Sequence, residues 1–149
     1  MPTITATGTS IAISAAVPAT QTEAGYTALT FTEIGGVEKL GPIGANISKI
    51  SFQPLKGPLE KHKGPADYGS LSPTMAHDET DAGQVLLRAA SEPGNNALYA
   101  FKVTYPNGAL RYFQARVFGY QDTADGAESL VMGATVIEIC TVIVKKAPV

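Results

Sequence analysis

Tryptophan is absent, cysteine occurs once and histidine twice, and only 16% of the 149 residues carry a charge. Each shortage removes a class of function. The lone thiol, Cys140, excludes an intramolecular disulfide and, lying in a β-branched run, is expected to be buried and inert. Eleven Lys and Arg against thirteen Asp and Glu give a formal charge of −2. A dedicated duplex-DNA binder would instead show a basic surplus gathered on one face. No apolar run is long enough to cross a bilayer, because the best one, residues 131–144, is interrupted by Thr135, Glu138 and Thr141. The first charge of any kind is Glu23, so the basic region of a secretory signal is missing and folding in the cytosol is expected. Charge below the usual quarter of residues suggests that a partner covers part of the surface.

What is present is mostly Thr, Val, Ile and Tyr, arranged for strands. The length predicts a single domain, residues 1–149, burying roughly two-thirds of the surface its unfolded chain exposes. Residues 1–14 are Thr-rich and uncharged, with Ile4, Ile11 and Ile13 as large apolar groups, and read as an extended arm. Residues 26–34 alternate Thr with Tyr26, Leu29, Phe31 and Ile34 and predict a strand. A second strand over residues 47–53 puts Ile50 and Phe52 on one face. Residues 54–80 then run through Gly, Pro and Lys with almost no apolar periodicity. Most connections are about 4–6 residues, so a loop of this length reads as an arm that docks elsewhere.

One helix is expected, over residues 81–92. Asp81 caps its first turn, Gln84 completes a capping-box-like pair, and Ala82, Val85, Leu86, Ala89 and Ala90 form an apolar stripe before Pro93-Gly94. Residues 97–105 and 109–120 read as two strands joined by Pro106-Asn107-Gly108, a strong hairpin signal. The last strand, residues 134–146, is apolar on both faces: Ile137, Ile139 and Ile143 on one, Val136, Cys140, Val142 and Val144 on the other. Such a strand wants cover on both sides, and a neighbouring subunit is one way to supply it. No internal repeat, low-complexity tract or second domain is evident.

Candidate chemistry is sparse. His77, Asp78, Glu79 and Asp81 form the densest polar cluster, yet it has neither calcium-loop spacing nor a paired-histidine motif. Acids at a helix N-terminus are explained by the free amides and macrodipole there. His62 lies between Lys61 and Lys63 with no nucleophile or orienting acid nominated for it, and Cys140 has only apolar neighbours. No cofactor and no enzymatic activity is expected. Tyr99, Phe101, Tyr105, Tyr112, Phe113, Phe118 and Tyr120 interleave with Lys102, Arg111 and Arg116. That pattern fits a half-buried strand pair and also, as a rival, a small oligonucleotide-binding sheet. A charge asymmetry stands out between Lys56, Lys61 and Lys63 in the long loop and Asp122, Asp125 and Glu128 in the connection after the hairpin. These loops either meet across copies stacked head to tail or are separately solvated.

Taken in order, the segments resemble the major tail tube proteins of long, non-contractile-tailed bacteriophages. The likeness rests on G-T-S-I-A-I-S-A-A-V-P-A-T, A-G-Y-T-A-L-T-F-T-E-I-G-G-V, I-S-F-Q-P-L-K-G-P, D-Y-G-S-L, D-A-G-Q-V-L-L-R-A-A, F-K-V-T-Y-P-N-G-A-L-R-Y-F-Q-A-R-V and V-I-E-I-C-T-V-I-V. It covers nearly the whole chain through the order and spacing of the set, and no single motif is diagnostic.

The resemblance implies a mainly β, sandwich or barrel-like fold with one flanking helix and a long inter-strand loop. It implies a structural virion protein whose copies close into hexameric rings stacked as the tail tube, the conduit for DNA ejection. Its partners would be itself, a tape measure protein, a tail terminator, and distal tail or baseplate proteins. DNA would pass through the lumen without specific binding, and no membrane insertion is expected. Assembly would take place in the host cytoplasm, and the mature location would be the virion tail. No C-terminal immunoglobulin-like module follows, so its decorative role is not expected. On this reading Ile4, Ile11 and Ile13 dock on a neighbour. Leu55, Lys56, Leu59, Lys61, Lys63 and Tyr68 reach the adjacent ring, where Asp122, Asp125 and Glu128 accept them. The nearest rival is a tube subunit of a related contractile or type VI-like injection machine.

Overall fold

In the computed structural model, which describes residues 3–148, the chain forms eleven strands and two helices. In order they are β1 (Ser10–Ser14), α1 (Glu23–Thr27), β2 (Thr32–Glu33), β3 (Val37–Lys39), β4 (Asn46–Phe52), β5 (Glu60–Asp67), β6 (Ser70–Leu71), β7 (Thr74–Ala76), α2 (Ala82–Ala90), β8 (Tyr99–Thr104), β9 (Leu110–Thr123), β10 (Met132–Ile139) and β11 (Val144–Lys146). Nine strands make one curled antiparallel sheet in the order β2-β1-β8-β9-β10-β7-β3, with β11 beside β9 and β6 beside β10. β4 and β5 stand apart as a two-stranded hairpin. This is the mainly β, barrel-like architecture expected from the sequence.

Period-two alternation in β8 and β9 fixes the centre. Phe101 and Phe113 face the same side, lie opposite each other in the ladder and stack with centroids 5.6 Å apart. Around them Ile11, Ile13, Met75, Leu87, Val103 and Ile137 are buried in one cluster with α2. α2 is capped as predicted, the Asp81 carboxylate accepting from Gln84 N at 3.0 Å and from Gly35 N at 3.0 Å. Gln84 does more than close a capping box. Fully buried, its amide donates to Gly35 O at 2.8 Å and Ala76 O at 2.9 Å, and its oxygen accepts from Asp78 N at 2.9 Å. One side chain thus ties the helix to the ends of β2 and β7.

The other face of the sheet is covered in part. Tyr26 of α1 is fully buried and stacks on Tyr112 at 5.2 Å, with Phe31 tilted against the same ring. The residues 26–34 expected as a strand therefore contribute a short helix and only the two-residue β2. Thr22 caps that helix by accepting from Gly25 N, and the Thr27 hydroxyl donates to Glu23 O at 2.7 Å. Burying one tyrosine ring outweighs the strand preference of the threonines around it.

Several other expectations are corrected. Residues 1–14 are not all a free arm: Ser10–Ser14 is an interior strand paired with β8 and β2, so Ile11 and Ile13 fill the chain's own core and are not available to a neighbour. Residues 54–80 are not one loop but contain β5, β6 and β7. Apolar periodicity reports burial, and β5 has neither face buried by this chain, so its pairing left no such trace. Tyr68 packs against the core cluster. The final strand is broken in two. Gln114 O accepts from Cys140 N at 2.9 Å, but the Gln114 N–H is taken by the Thr141 hydroxyl at 3.0 Å in place of a ladder carbonyl. Cys140 is exposed rather than buried.

A bulge shapes β9. Val117 and Tyr120 pair Ile137 and Thr135, so β9 carries one extra residue there. Gly119 takes φ +95 within it, a conformation costly for other residues. Tyr120 is thereby turned onto the core while Phe118 points out, 62% exposed.

Gly83 in α2 sits where a Cβ would meet the Glu33 carbonyl and lie 2.6 Å from Ile34 Cα. Both are backbone, so relief requires the helix to move off the sheet. Gly83→Ala should lower stability by about 1–3 kcal/mol, read by thermal or urea denaturation. An unchanged midpoint would show that the helix seats more loosely than this contact indicates.

Candidate assembly surface

The β4–β5 hairpin is the part of the chain with least cover from the rest. Its ladder runs from Asn46 opposite Asp67 to Phe52 opposite Glu60. No residue of β4 is buried, and in β5 only Gly64 is even partly so. At the turn, Gln53 Nε2 donates to Pro54 O at 2.9 Å and Gly57 O at 3.0 Å, holding the tip. Directly paired residues share a face. Ile50, Phe52, Glu60 and His62 therefore lie on one side and Lys49, Ser51, Lys61 and Lys63 on the other. The first side is apolar with one polar contact, His62 Nε2 to Glu60 Oε1 at 3.2 Å. The second is basic, with no carboxylate within ion-pair distance of its lysines among the described residues.

The expected contact residues fall into three groups. Leu55, Lys56 and Leu59 are exposed at the hairpin tip, and Lys61 and Lys63 are brought together on the basic face. Asp122, Asp125 and Glu128 are exposed at the end of β9 and in the connection to β10, and Ile4 is exposed near the N-terminus. Ile11, Ile13 and Tyr68 are withdrawn into the chain's own packing. Lys49, Ile50 and Phe52 belong with the first group. Once residues 54–80 are read as a loop, β4 has no partner and its two faces have no meaning.

A second uncovered area lies on the outer face of β9 and β10. Phe118 and Val136 are exposed there, while Arg116 and Glu138 are ladder partners. Arg116 donates from Nε to Asn96 O at 2.9 Å, and from Nη1 to Cys140 Sγ at 3.5 Å. Of the aromatic residues of β8 and β9, Tyr99, Phe101, Tyr112 and Phe113 are buried and Phe118 is exposed. A row of exposed rings on which successive bases could stack, as an oligonucleotide-binding sheet requires, is not present among these strands.

The polar cluster before α2 is built around local bonds. Asp78 accepts from the Thr80 hydroxyl at 2.7 Å and amide at 2.9 Å, which hold its carboxyl below the usual range. Glu79 takes a hydrogen bond of 2.7 Å from His77 Nε2 and is lowered for that reason. A carboxylate only accepts, so Nε2 carries the proton, and in the neutral ring Nδ1 accepts from the Tyr120 phenol at 3.0 Å. Burial pushes that phenol up, against the opposing pull of Arg88. Among the described residues no three His, Cys, Asp or Glu side chains converge as a metal site. No described helix is long and apolar enough to cross a membrane.

No protein-family model and no curated protein matches the sequence. Solved structures do match in fold. A chain of the sheath/tube terminator of an extracellular contractile injection system, PVC, superposes with a TM-score of 0.74 at 8% identity over 99% of both chains. A chain of the PVC sheath–tube complex gives 0.63 at 9% identity, over 92% of this chain and 88% of that one. One from the six-fold symmetrised baseplate of the anti-feeding prophage gives 0.65 at 7%, over 99% and 97%. The chain therefore shares a tail-tube-like fold along its whole described length.

The lowered Asp78 and Glu79 carboxyls contribute stability that is present above the ordinary carboxylate range and is lost as pH falls through their lowered values. In Thr80→Val the hydroxyl donor is gone and the amide remains. The Asp78 carboxyl should then titrate at higher pH by carbon-detected NMR while Glu79 stays put. An unmoved Asp78 titration would contradict the assignment.

Proposed function

We propose that this protein is a structural, non-enzymatic subunit of an injection-tail tube, whose copies close into rings and whose rings stack into a conduit. The observation that carries the reading is the β4–β5 hairpin. It exposes Ile50, Phe52, Leu55 and Leu59 with no cover in its own chain, within a fold matched end to end by a chain from a sheath/tube terminator. Contiguous apolar surface of this kind marks an interaction site.

In this reading the rings are hexameric, as in the six-fold symmetrised assembly that contains one of the matching chains. The basic hairpin face, with Lys49, Lys56, Lys61 and Lys63, meets Asp122, Asp125 and Glu128 of the adjacent ring, and Ile4 docks on a neighbour. The tube sits in a virion tail or virion-like particle, assembled in the producing cell around a tape measure protein between a terminator and the distal tail. DNA passes through without being gripped, since each neutralised phosphate would add salt-sensitive affinity. A net charge of −2 suits such a channel. The matching chains come from contractile systems, which favours a second reading: the tube works inside a contractile sheath instead of in a sheathless phage tail. Micrographs of native particles separate the two by the presence of a sheath.

Asn46 and Asp67 are ladder partners at the base of the hairpin, so residues 47–66 can be replaced by a short Gly-Ser linker without parting them. The truncated protein should keep the thermal transition of the body and stay monomeric. Concentrated full-length protein should form rings or tubes in negative stain. Tubes from the truncated protein would refute the hairpin's role, and a full-length protein that is monomeric at every concentration would refute the tube.

A further inference from the structure

The hairpin's apolar face and the outer face of β9–β10 carry matching sets of four side chains. On the hairpin, Ile50 and Phe52 run along β4, and their ladder partners His62 and Glu60 run along β5. On the sheet, Arg116 and Glu138 are paired across β9 and β10. The next outward residues, Phe118 and Val136, are neighbours that line one shallow depression together. Each face thus has two apolar groups, one acid and one base. Neither apolar pair is covered by this chain, and among the described residues Arg116 has no carboxylate within ion-pair distance.

We propose that the apolar face of the hairpin packs on the β9–β10 outer face of a second copy, setting Ile50 and Phe52 on Phe118 and Val136, Glu60 on Arg116, and His62 on Glu138. The proposal rests on the self-assembly reading above and specifies its lateral contact. The occupant is a second copy because the sets are complementary in charge as well as apolar. The crossing angle follows from the pattern. The hairpin's apolar pair runs along one strand and the sheet's runs across two. The two pairs therefore lie one on the other only when the strands cross near a right angle, a known mode of sheet packing, and the repeats of about 7 Å along a strand and about 5 Å between strands then differ by about 2 Å, within reach of these side chains. The two surfaces are different patches of one subunit, so the contact is heterologous and generates a ring or a helix. It leaves the lysine face of the hairpin free for the contact between rings.

The single native cysteine supplies the test. Cys140 Sγ lies 3.5 Å from Arg116 Nη1, so a thiol at position 60 would arrive beside it in the next copy. Assembled Glu60→Cys protein under mild oxidation should give a ladder of disulfide-linked multimers on non-reducing gels. Lys61→Cys, on the opposite face, and Glu60→Cys with Cys140→Ser should give none. As a second measure, Glu60→Arg and Arg116→Glu should each raise the concentration needed for assembly about tenfold or more, and the double variant should restore it. Rings that form without the Glu60→Cys ladder, an equal ladder from Lys61→Cys, or a charge swap without rescue would overturn this contact and leave the tube standing. A wild-type protein that never assembles would overturn the tube reading and this contact with it.

Discussion

An antiparallel sheet presents two faces, and every strand that is apolar on both needs cover on both. This chain has one nine-residue helix and one five-residue helix to place over a nine-stranded sheet. α2 closes one face. α1 closes the other only where Tyr26 and Phe31 lie over Tyr112. Further along β9 and β10, Phe118 and Val136 remain in water, and the hairpin adds Ile50 and Phe52. Full burial of such a side chain is worth about 1.5–3 kcal/mol, so the shortfall in cover is itself a driving force for association. The assembly proposed above follows from the same imbalance as the fold.

Elements that bury a face of their own were legible. α2 announced itself through Asp81, although Ala82, Val85 and Ala89 of the expected stripe face solvent and the helix buries Gly83, Gln84, Leu87 and Ala90 instead, and the β8–β9 hairpin announced itself through alternation around Asn107-Gly108 that records contact with the core. β5 was not legible, since a strand whose two faces both look outward has no reason to alternate. The misreading of Ile11 and Ile13 has the opposite cause: a short, uncharged strand carries no turn or charge signal to show that it is paired on both sides within a sheet. Gln84 was seen as half of a local cap, and its bonds to Gly35 and Ala76 come from residues far away in sequence or on another element. The site fared similarly. Lys61 and Lys63 could be named from composition, whereas their alliance with Lys49 depends on a strand register that no local pattern shows.

In the assembly proposed above, separating apolar and basic residues onto two sides of one hairpin gives the subunit two contacts of different physical character. One buries mainly apolar area, with its two charge pairs at the flank, and depends less on salt. The other joins exposed charges and weakens once the screening length falls below their separation. Ionic strength would therefore weaken the proposed stacking of rings more than the proposed growth of a ring.

The hairpin joins the body at its base alone, where Asn46 faces Asp67 and the Asp67 carboxylate accepts from Gly69 N at 3.0 Å. An appendage held at one end can tilt as a unit while its own ladder stays intact. In the tube proposed above, subunits linked through such elbows would share curvature among many small rotations, and a long filament of them would bend as a pliable hose instead of breaking as a brittle rod.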